Sequence, residues 1–150
     1  MRTKRLALGH LGIDRNRETE LRAFCRQYRE KKQRAASLLG IQAVAQNTGG
    51  RAKGLVSDPV GRAAAKREGL LDDVRLIERA ARQVDGGRWF SALIRNVCYG
   101  IGYTYLDAAI LPTSCRSDFF RARREFFWRL DQLKERRDWQ READEFFGDD

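Results

Sequence analysis

The residues best suited to chemistry in this sequence are arginines that follow the dipeptide Leu111-Pro112. A guanidinium carries a planar fork of donors that grips phosphate oxygens and pairs with two acceptors on the edge of a guanine. Serine and threonine hydroxyls can donate to the same groups. The residues that we predict to contact DNA are Thr113, Ser114, Arg116, Ser117, Arg121 and Arg124.

Two helices must position these side chains. Thr104 and Asp107 fit a capping box, which opens a short helix. Pro112 ends that helix, because proline lacks an amide donor and disfavours helical geometry at the residue before it. The threonine or serine after the proline can then cap a longer helix. A short helix, a tight turn and a long helix make a helix-turn-helix, which we predict over about residues 104–137.

The long helix has two distinct faces. Phe119, Ala122, Phe126 and Leu130 fall on one arc at about 100° per residue, and Phe120 and Phe127 extend that arc. Arg121 and Arg124 fall on another side, while Arg116 and Arg123 lie nearer the apolar arc. We therefore expect the phenylalanines to face a core and the two outward arginines to face a ligand.

A purely structural explanation of the same segment stays open. The arginines could pair with Asp118, Glu125 and Asp131 at helical spacing, and such pairs are common in helices that only pack for stability. A capping box followed by a proline turn is also not diagnostic of DNA binding.

Positive charge is concentrated in the first part of the chain. Residues 1–67 hold 16 Lys and Arg against 5 Asp and Glu, a balance of +11, whereas residues 68–150 hold 14 against 16, a balance of −2. A surface of this sign attracts phosphate polymers, although an arginine-rich composition can also be an ordinary solvated surface. The residues predicted to contact phosphates are Arg26, Arg29, Lys31, Lys32, Arg51 and Lys53.

The remaining patterns predict an all-α small helical bundle, in which residues 17–141 form a single domain. A flexible basic tail is expected over residues 1–16 and an acidic aromatic tail, more frayed than docked, over residues 142–150. Between them we predict an amphipathic helix over 17–39 and a Gly-rich loop over 40–57. Asp58 is expected to cap one helix over 58–84, or a helix interrupted near Gly69, and a helix with a core-facing Trp89 follows over 88–99.

Several classes of function are disfavoured. Cys25, Cys98 and Cys115 lie far apart, which favours reduced thiols in the core of a cytoplasmic protein over disulfides or zinc. The single histidine, His10, has no nucleophile near it in the sequence, so we expect no enzyme and no cofactor. No segment approaches the roughly 20 apolar residues of a membrane span, so we expect no membrane partner.

An ordered series of short motifs gives a resemblance to a known family. Over roughly residues 18–133 the chain resembles the RinA/ArpU-like group of small phage and prophage regulators, sometimes described as sigma-factor-like. The resemblance implies a sigma region 4-like helix-turn-helix in the C-terminal part and regulation of phage genes. It is carried by Ser57-Asp58-Pro59, Ile77-Glu78, Tyr103-Thr104, Leu111-Pro112, Phe120 and the run Arg123-Arg124-Glu125-Phe126-Phe127.

These observations lead to two hypotheses. The first is a phage or prophage transcriptional regulator that reads double-stranded DNA with its helix-turn-helix, uses basic N-terminal residues for phosphate contacts, and binds paired half-sites if it forms a homodimer. The second is a helical interaction module that binds RNA polymerase or another phage protein through exposed aromatics such as Trp128 and Trp139, without reading DNA.

Overall fold

In the computed structural model, residues 8–47 and 58–148 are described, with side chains at all of these positions except 10 and 41–47. The described residues form helices and turns without a strand, so the all-α prediction is confirmed. The α-helices are α1 (Arg15–Arg26), α2 (Tyr28–Asn47), α3 (Pro59–Gln83), α4 (Phe90–Leu93) and α5 (Arg116–Phe147).

The chain divides into two compact units. Unit 1 comprises Met1–Arg26 and Leu76–Asp150, and unit 2 comprises Gln27–Arg75. Helices α1, α4 and α5 therefore belong to unit 1, α2 belongs to unit 2, and α3 contributes residues to both. The single domain predicted over residues 17–141 stays a prediction.

The flexible tail predicted over residues 1–16 is wrong for the residues from Leu8 onward, which are packed and ordered into turns. Leu8 and Ile13 are only 1% and 2% exposed, so they belong to the core of unit 1. A 3-10 turn over Gly9–Leu11 separates them and ends at Gly12, whose φ of 77° is a left-handed value that suits glycine. Two apolar residues around one turn leave no periodic pattern, which explains why the sequence showed only a tail.

The amphipathic helix predicted over residues 17–39 is two helices that meet at Gln27. Leu21 and Phe24 of α1 are buried in unit 1, whereas Tyr28 and Ala35 of α2 are buried in unit 2. The helical backbone of α2 continues to Asn47, into the Gly-rich segment predicted as a loop over 40–57. The rest of that segment, residues 48–57, lies outside the described residues.

Helix α3 begins as the sequence predicts. The amide of Gly61 donates to Asp58 Oδ1 at 2.8 Å, so Asp58 caps the first turn and Pro59 opens the helix. The helix ends at Gln83, and helical geometry then breaks at Asp85, Gly86 and Gly87, which all have positive φ. α4 and a π-helical turn over Ile94–Cys98 follow, and Trp89, which precedes them, is 4% exposed, as predicted for a core residue.

The core of unit 1 is closed by the apolar arc of α5. Phe119, Phe126 and Leu130 are fully buried, Ala122 is 5% exposed and Phe127 is 1% exposed, which confirms the predicted inward face, although Phe120 at its edge is only half-buried. Burying one such side chain contributes roughly 1.5–3 kcal/mol. Two ion pairs also join α1 to α5, since Arg17 binds Asp131 and Lys134 Nζ donates to Glu20 Oε1 at 3.0 Å. The large buried side chains of this core include Leu8, Ile13, Leu21, Ile77, Leu93, Phe119, Phe126, Phe127 and Leu130.

Helix α5 is longer than predicted at its C-terminal end. It runs on through the segment expected to fray and ends at Phe147, followed by Gly148. Phe146 and Phe147 are 81% and 82% exposed, so neither docks on unit 1. The last turns contain no proline or glycine, and straight-chain residues such as Glu and Arg favour a continued helix.

Candidate nucleic-acid interface

The outward face of α5 lies opposite the buried phenylalanines, and its N-terminal half is rich in donors. Ser117 is exposed and the Arg121 side chain is 75% exposed. Arg124 is half-buried on the same side, one helical turn beyond Arg121. Three of the six residues predicted to contact DNA are therefore accessible on one side of α5.

Arg116 stands at the first turn of α5 and is held by aromatic rings. Its guanidinium lies 5.5 Å from the centre of the Tyr103 ring and 5.3 Å from that of the Phe120 ring. Cation–π contacts of this kind fix a guanidinium while its donors remain available. Tyr103 also packs on Phe119, with ring centres 5.1 Å apart. This supporting role of Tyr103 was not apparent from the sequence, because an isolated tyrosine gives no periodic signal.

The turn before α5 differs from the prediction that Thr113 or Ser114 caps the helix. The N-cap residue is Cys115, which makes no side-chain capping bond. Thr113 Oγ1 instead donates to Asp118 Oδ2 at 3.0 Å, and the Ser114 carbonyl accepts a 3.4 Å hydrogen bond from the Tyr103 hydroxyl. Both residues thus shape the turn, and the hydroxyl of the exposed Ser114 stays accessible.

Cys115 also corrects the expectation that all three cysteines lie in the core. Cys25 and Cys98 are buried, but Cys115 is exposed. Its Sγ lies 3.0 Å from Ser117 Oγ, and this hydrogen bond, together with the amides of Asp118 and Ser117, lowers the pKa of the thiol.

The short helix predicted before Pro112 is wrong in kind. The segment consists of two 3-10 turns, Tyr103–Tyr105 and Ala108–Ile110, with extended backbone at Leu106 between them. Asp107 caps the second turn by accepting from the Ala109 amide at 2.9 Å, so the predicted capping box does not form. Leu106 is 8% exposed, and burying it interrupts a segment that is too short to offset the cost of helix nucleation.

The structural explanation of the arginines holds for some of them. Arg129 Nη2 lies 2.9 Å from Glu125 Oε1, a close pair, whereas Arg121 Nη1 lies 3.9 Å from Asp118 Oδ1. Asp131 pairs with α1 instead of with an arginine of α5. Within the described part of the chain, Arg124 makes no ion pair. The two outward arginines therefore keep donors available to a ligand.

Of the predicted phosphate-contact residues, Arg26 lies in unit 1 and Arg29 and Lys32 lie in unit 2, and all three are exposed. Lys32 Nζ lies 5.1 Å from the centre of the Tyr28 ring. Lys31 is a correction: its Nζ donates to Asp73 Oδ2 at 2.7 Å, and its side chain is 14% exposed, so its charge is used inside unit 2. Arg51 and Lys53 lie outside the described residues.

The C-terminal half of α5 has a different character. Trp139 in this half is 69% exposed, and Trp128, which lies in the N-terminal half four residues beyond Arg124, is 38% exposed, as expected for the interaction-module hypothesis. Trp139 lines a groove of about 360 Å³ between α5 and the N-terminal turn. Its other lining residues are Gly12, Asp14, Arg17, Asp131, Glu135, Asp138 and Glu142, and the excess of carboxylates makes this end of α5 unfavourable for a phosphate backbone.

Further observations bear on other kinds of site. Among the side chains that the structure describes, no three His, Cys, Asp or Glu groups come close enough together to hold a metal ion. No helix in these ranges combines the length and apolarity needed to cross a bilayer. Comparison with known proteins gave no match to a family model, to a curated protein or to a solved structure.

Proposed function

We propose that this protein is a DNA-binding transcriptional regulator that inserts the outward face of the N-terminal half of α5 into the major groove. The observation that carries the proposal is that the exposed Ser117 and Arg121 and the half-buried Arg124 lie on one side of a helix anchored by buried phenylalanines. A rigid helix with arginines at this spacing suits bidentate recognition of guanine. The chain charge of +9 supports the same polyanionic partner.

The bracing of this helix is the part of the proposal that departs from a conventional helix-turn-helix. The 3-10 turns at Tyr103–Tyr105 and Ala108–Ile110 occupy the position of a first helix, and Tyr103 packs on Phe119 and Phe120 with ring centres 5.1 and 5.9 Å apart. We propose that these turns orient α5 on the duplex, as a first helix does. Arg116 and the first amides of α5 then contact the phosphates that border the groove.

The resemblance to RinA/ArpU-like regulators favours a phage or prophage promoter as the target, in the cytoplasm of a bacterial host. A homodimer would allow the protein to bind two half-sites one turn of DNA apart. Neither the resemblance nor dimer formation is needed for the base-reading role of α5, which can be tested with the purified chain.

The test is selection of bound duplexes from a random pool, followed by titration of the selected duplex and of a scrambled duplex. We expect Arg121→Ala/Arg124→Ala to lose most of the preference for the selected sequence, because each good bidentate contact discriminates by roughly 1–3 kcal/mol. Arg136→Ala/Arg141→Ala is the matched control, since it removes the same charge from exposed positions farther along α5. A folded Arg121/Arg124 variant with undiminished preference would refute the proposal.

The exposed aromatics favour a second function, in which the C-terminal half of α5 binds a protein such as RNA polymerase. Trp139 and Phe146 are 69% and 81% exposed, and large exposed aromatic side chains often anchor interfaces. Trp139→Ala/Phe146→Ala should then abolish polymerase capture and leave binding to the selected duplex unchanged. Equal capture by wild type and variant would exclude this surface.

A further inference from the structure

A cavity of about 310 Å³ opens on the outward face of α5, beside the N-terminal turn of unit 1. Small-molecule sites in proteins typically have volumes of about 300–1,000 Å³. The lining residues from α5 recur at i, i+3, i+4 and i+7, so they share one face of the helix. The cavity therefore joins an aromatic ring to two guanidinium groups. Its lining residues are Leu11, Arg121, Arg124, Glu125 and Trp128.

The two guanidinium groups at this cavity keep donors for a ligand. The Arg121 side chain is 75% exposed, and its Nη1 lies 3.9 Å from Asp118 Oδ1, a long separation for an ion pair. Arg124 is half-buried and, among the described residues, makes no ion pair. Guanidinium groups bind a phosphate through two parallel hydrogen bonds. This part of the cavity therefore favours an anionic group.

Trp128 offers a surface on which a flat ring can stack. Its side chain is 38% exposed, although the Arg129 guanidinium lies 6.0 Å from the centre of the ring. Every nucleobase has a π-face, so an accessible aromatic side chain can stack any of them. At a rise of about 1.5 Å per residue, Trp128 lies roughly 6 Å beyond Arg124 along the helix axis. A nucleotide separates its base from its phosphate by one sugar, which suits this spacing.

Glu125 lies between the arginines and the tryptophan in the sequence of α5. Its negative charge opposes an anion, but Arg129 Nε and Nη2 both lie 2.9 Å from Glu125 Oε1 and offset that charge. Its Oε2 is left to accept from a sugar hydroxyl or a base amino group. Leu11, which is half-buried, adds an apolar contact from the N-terminal turn. The cavity thus complements each part of a nucleotide, whereas a bare phosphate would leave the tryptophan ring uncovered.

We propose that this cavity binds one nucleotide, with the base stacked on Trp128 and the phosphate held by Arg121 and Arg124. The nucleotide can be free in solution or can be an unpaired nucleotide of a single strand, and both sources present the same chemistry. The site shares its two arginines with the proposed duplex interface, so nucleotide and duplex should exclude each other. That competition rests on the proposed function, whereas nucleotide binding itself does not.

The first experiment is calorimetric titration of the full chain with adenosine monophosphate and with adenosine. We expect the monophosphate to bind more tightly, because only the monophosphate engages the arginines. Arg121→Gln/Arg124→Gln should remove this difference. Arg136→Gln/Arg141→Gln removes the same charge from exposed positions farther along α5 and should retain the difference.

The second experiment titrates Trp128→Ala with adenosine monophosphate and with a labelled single-stranded oligonucleotide. We expect binding to weaken roughly 5- to 140-fold, the loss that corresponds to the stacking of one base on an aromatic ring. Trp128→Phe keeps a ring and should recover part of the affinity. Trp139→Ala is the matched control, because it removes another exposed tryptophan of α5. Stacking should also quench tryptophan fluorescence in wild type and in Trp139→Ala but not in Trp128→Ala.

The outcomes separate the two sources and the two proposals. Dependence on Trp128 with the monophosphate alone supports a site for a free nucleotide, and dependence with the oligonucleotide alone supports a site for a single strand. The site would be overturned if wild type bound neither probe, or bound both as Trp128→Ala and Arg121→Gln/Arg124→Gln do. If Trp128→Ala proves unfolded, Trp128→Phe and the arginine variant decide.

Failure of the site and failure of the proposed function can be told apart. A wild-type chain that binds a probe but prefers no duplex would support the nucleotide site and refute the proposed function. A wild-type chain that prefers its selected duplex but binds neither probe would overturn the nucleotide site alone.

Discussion

Arg123 shows how a single partly buried charge can oppose the stability of the fold. Its pKa in the folded chain is about 10, because burial and neighbouring positive charge disfavour the protonated form. Below that pH the fold carries the full cost of the charge. Because this pKa lies below the ordinary value for arginine, the unfolded chain binds more protons above about pH 10, and this group's unfavourable contribution to the free energy of unfolding fades as the pH rises above that value.

We therefore predict that Arg123→Met stabilises unit 1 by about 1 kcal/mol at pH 7, since replacing a poorly compensated buried charge by an apolar side chain is often favourable. The difference in the free energy of unfolding between variant and wild type should become smaller above about pH 10. Urea titration followed by tryptophan fluorescence measures it, because all three tryptophans lie in unit 1. A Met variant less stable than wild type at pH 7 would contradict this account.

Lys31 and Asp73 form the opposite case, a charge that is fully used. The two side chains are 14% and 19% exposed, and Nζ lies 2.7 Å from Oδ2. Lys31→Met leaves Asp73 poorly solvated. We expect the free energy of unfolding of unit 2 to fall by roughly 2 kcal/mol, less than the roughly 3–5 kcal/mol lost when a completely buried pair is broken. Hydrogen exchange of the α2 and α3 amides reports this loss within unit 2. Lys31→Met/Asp73→Leu should recover most of the protection, and no recovery would contradict the electrostatic explanation.

At the scale of elements, α5 joins two surfaces with different roles. Among the described residues, no side chain of α5 beyond Leu133 is buried, whereas the contacts of Lys134 and Arg137 with Phe24 lie close to the core. The last turns therefore extend from unit 1 without contributing to its core. This allows the aromatic end to be removed separately.

Truncation after Asp138 is predicted to leave the Tm within a few degrees of wild type and binding to the selected duplex unchanged. It removes Trp139 and Phe146 from the proposed protein surface but keeps the ion pairs between α1 and α5. Circular dichroism and the DNA titration check the two outcomes. A truncated chain that is unfolded at room temperature would show that the terminal turns stabilise the fold.

The sequence predicted elements well where one periodic pattern extended over several turns, as in α3 and the Phe119–Leu130 arc. The prediction failed where the type or the end of a helical segment depends on packing against residues that are distant in the sequence. The capping box at Thr104 competes with burial of Leu106, and the burial prevails, so two 3-10 turns form. The break between α1 and α2 at Gln27 also gives no signal in the sequence. The apolar residues on either side keep helical spacing, although they are buried in different units.

At the scale of the whole molecule, charge composition predicted a polyanionic partner but could not assign each charge to a task. Lys31 is engaged with an acid, Arg123 is partly buried and Arg121 is exposed, although all three count equally in the net charge of +9. Their roles depend on burial and on neighbours from remote parts of the chain. Net charge therefore indicates the class of partner, and only the fold indicates the contacts.

Phosphate contacts and base contacts respond differently to substitution in the intact chain. Arg29 and Lys32 of unit 2 are exposed. We expect Arg29→Gln/Lys32→Gln to weaken binding to all duplexes alike, because phosphate contacts carry no sequence information. The variant should also lower the slope of log K against log salt by up to about 2, since each lost phosphate contact contributes about 0.9. Anisotropy titrations at several salt concentrations, with selected and scrambled duplexes, measure both quantities.

The matched control for that variant is Arg34→Gln/Arg75→Gln, which removes the same charge from the same unit. Arg34 lies 2.8 Å from Glu30 and Arg75 lies 3.1 Å from Glu68, so acids already engage both guanidiniums. We expect a smaller change of slope in the control. Equal changes of the slope in the two variants would mean that unit 2 acts only through its overall charge. A change in the preference for the selected duplex would mean that unit 2 reads bases. Either outcome would contradict the proposal that unit 2 contacts phosphates while α5 reads the sequence.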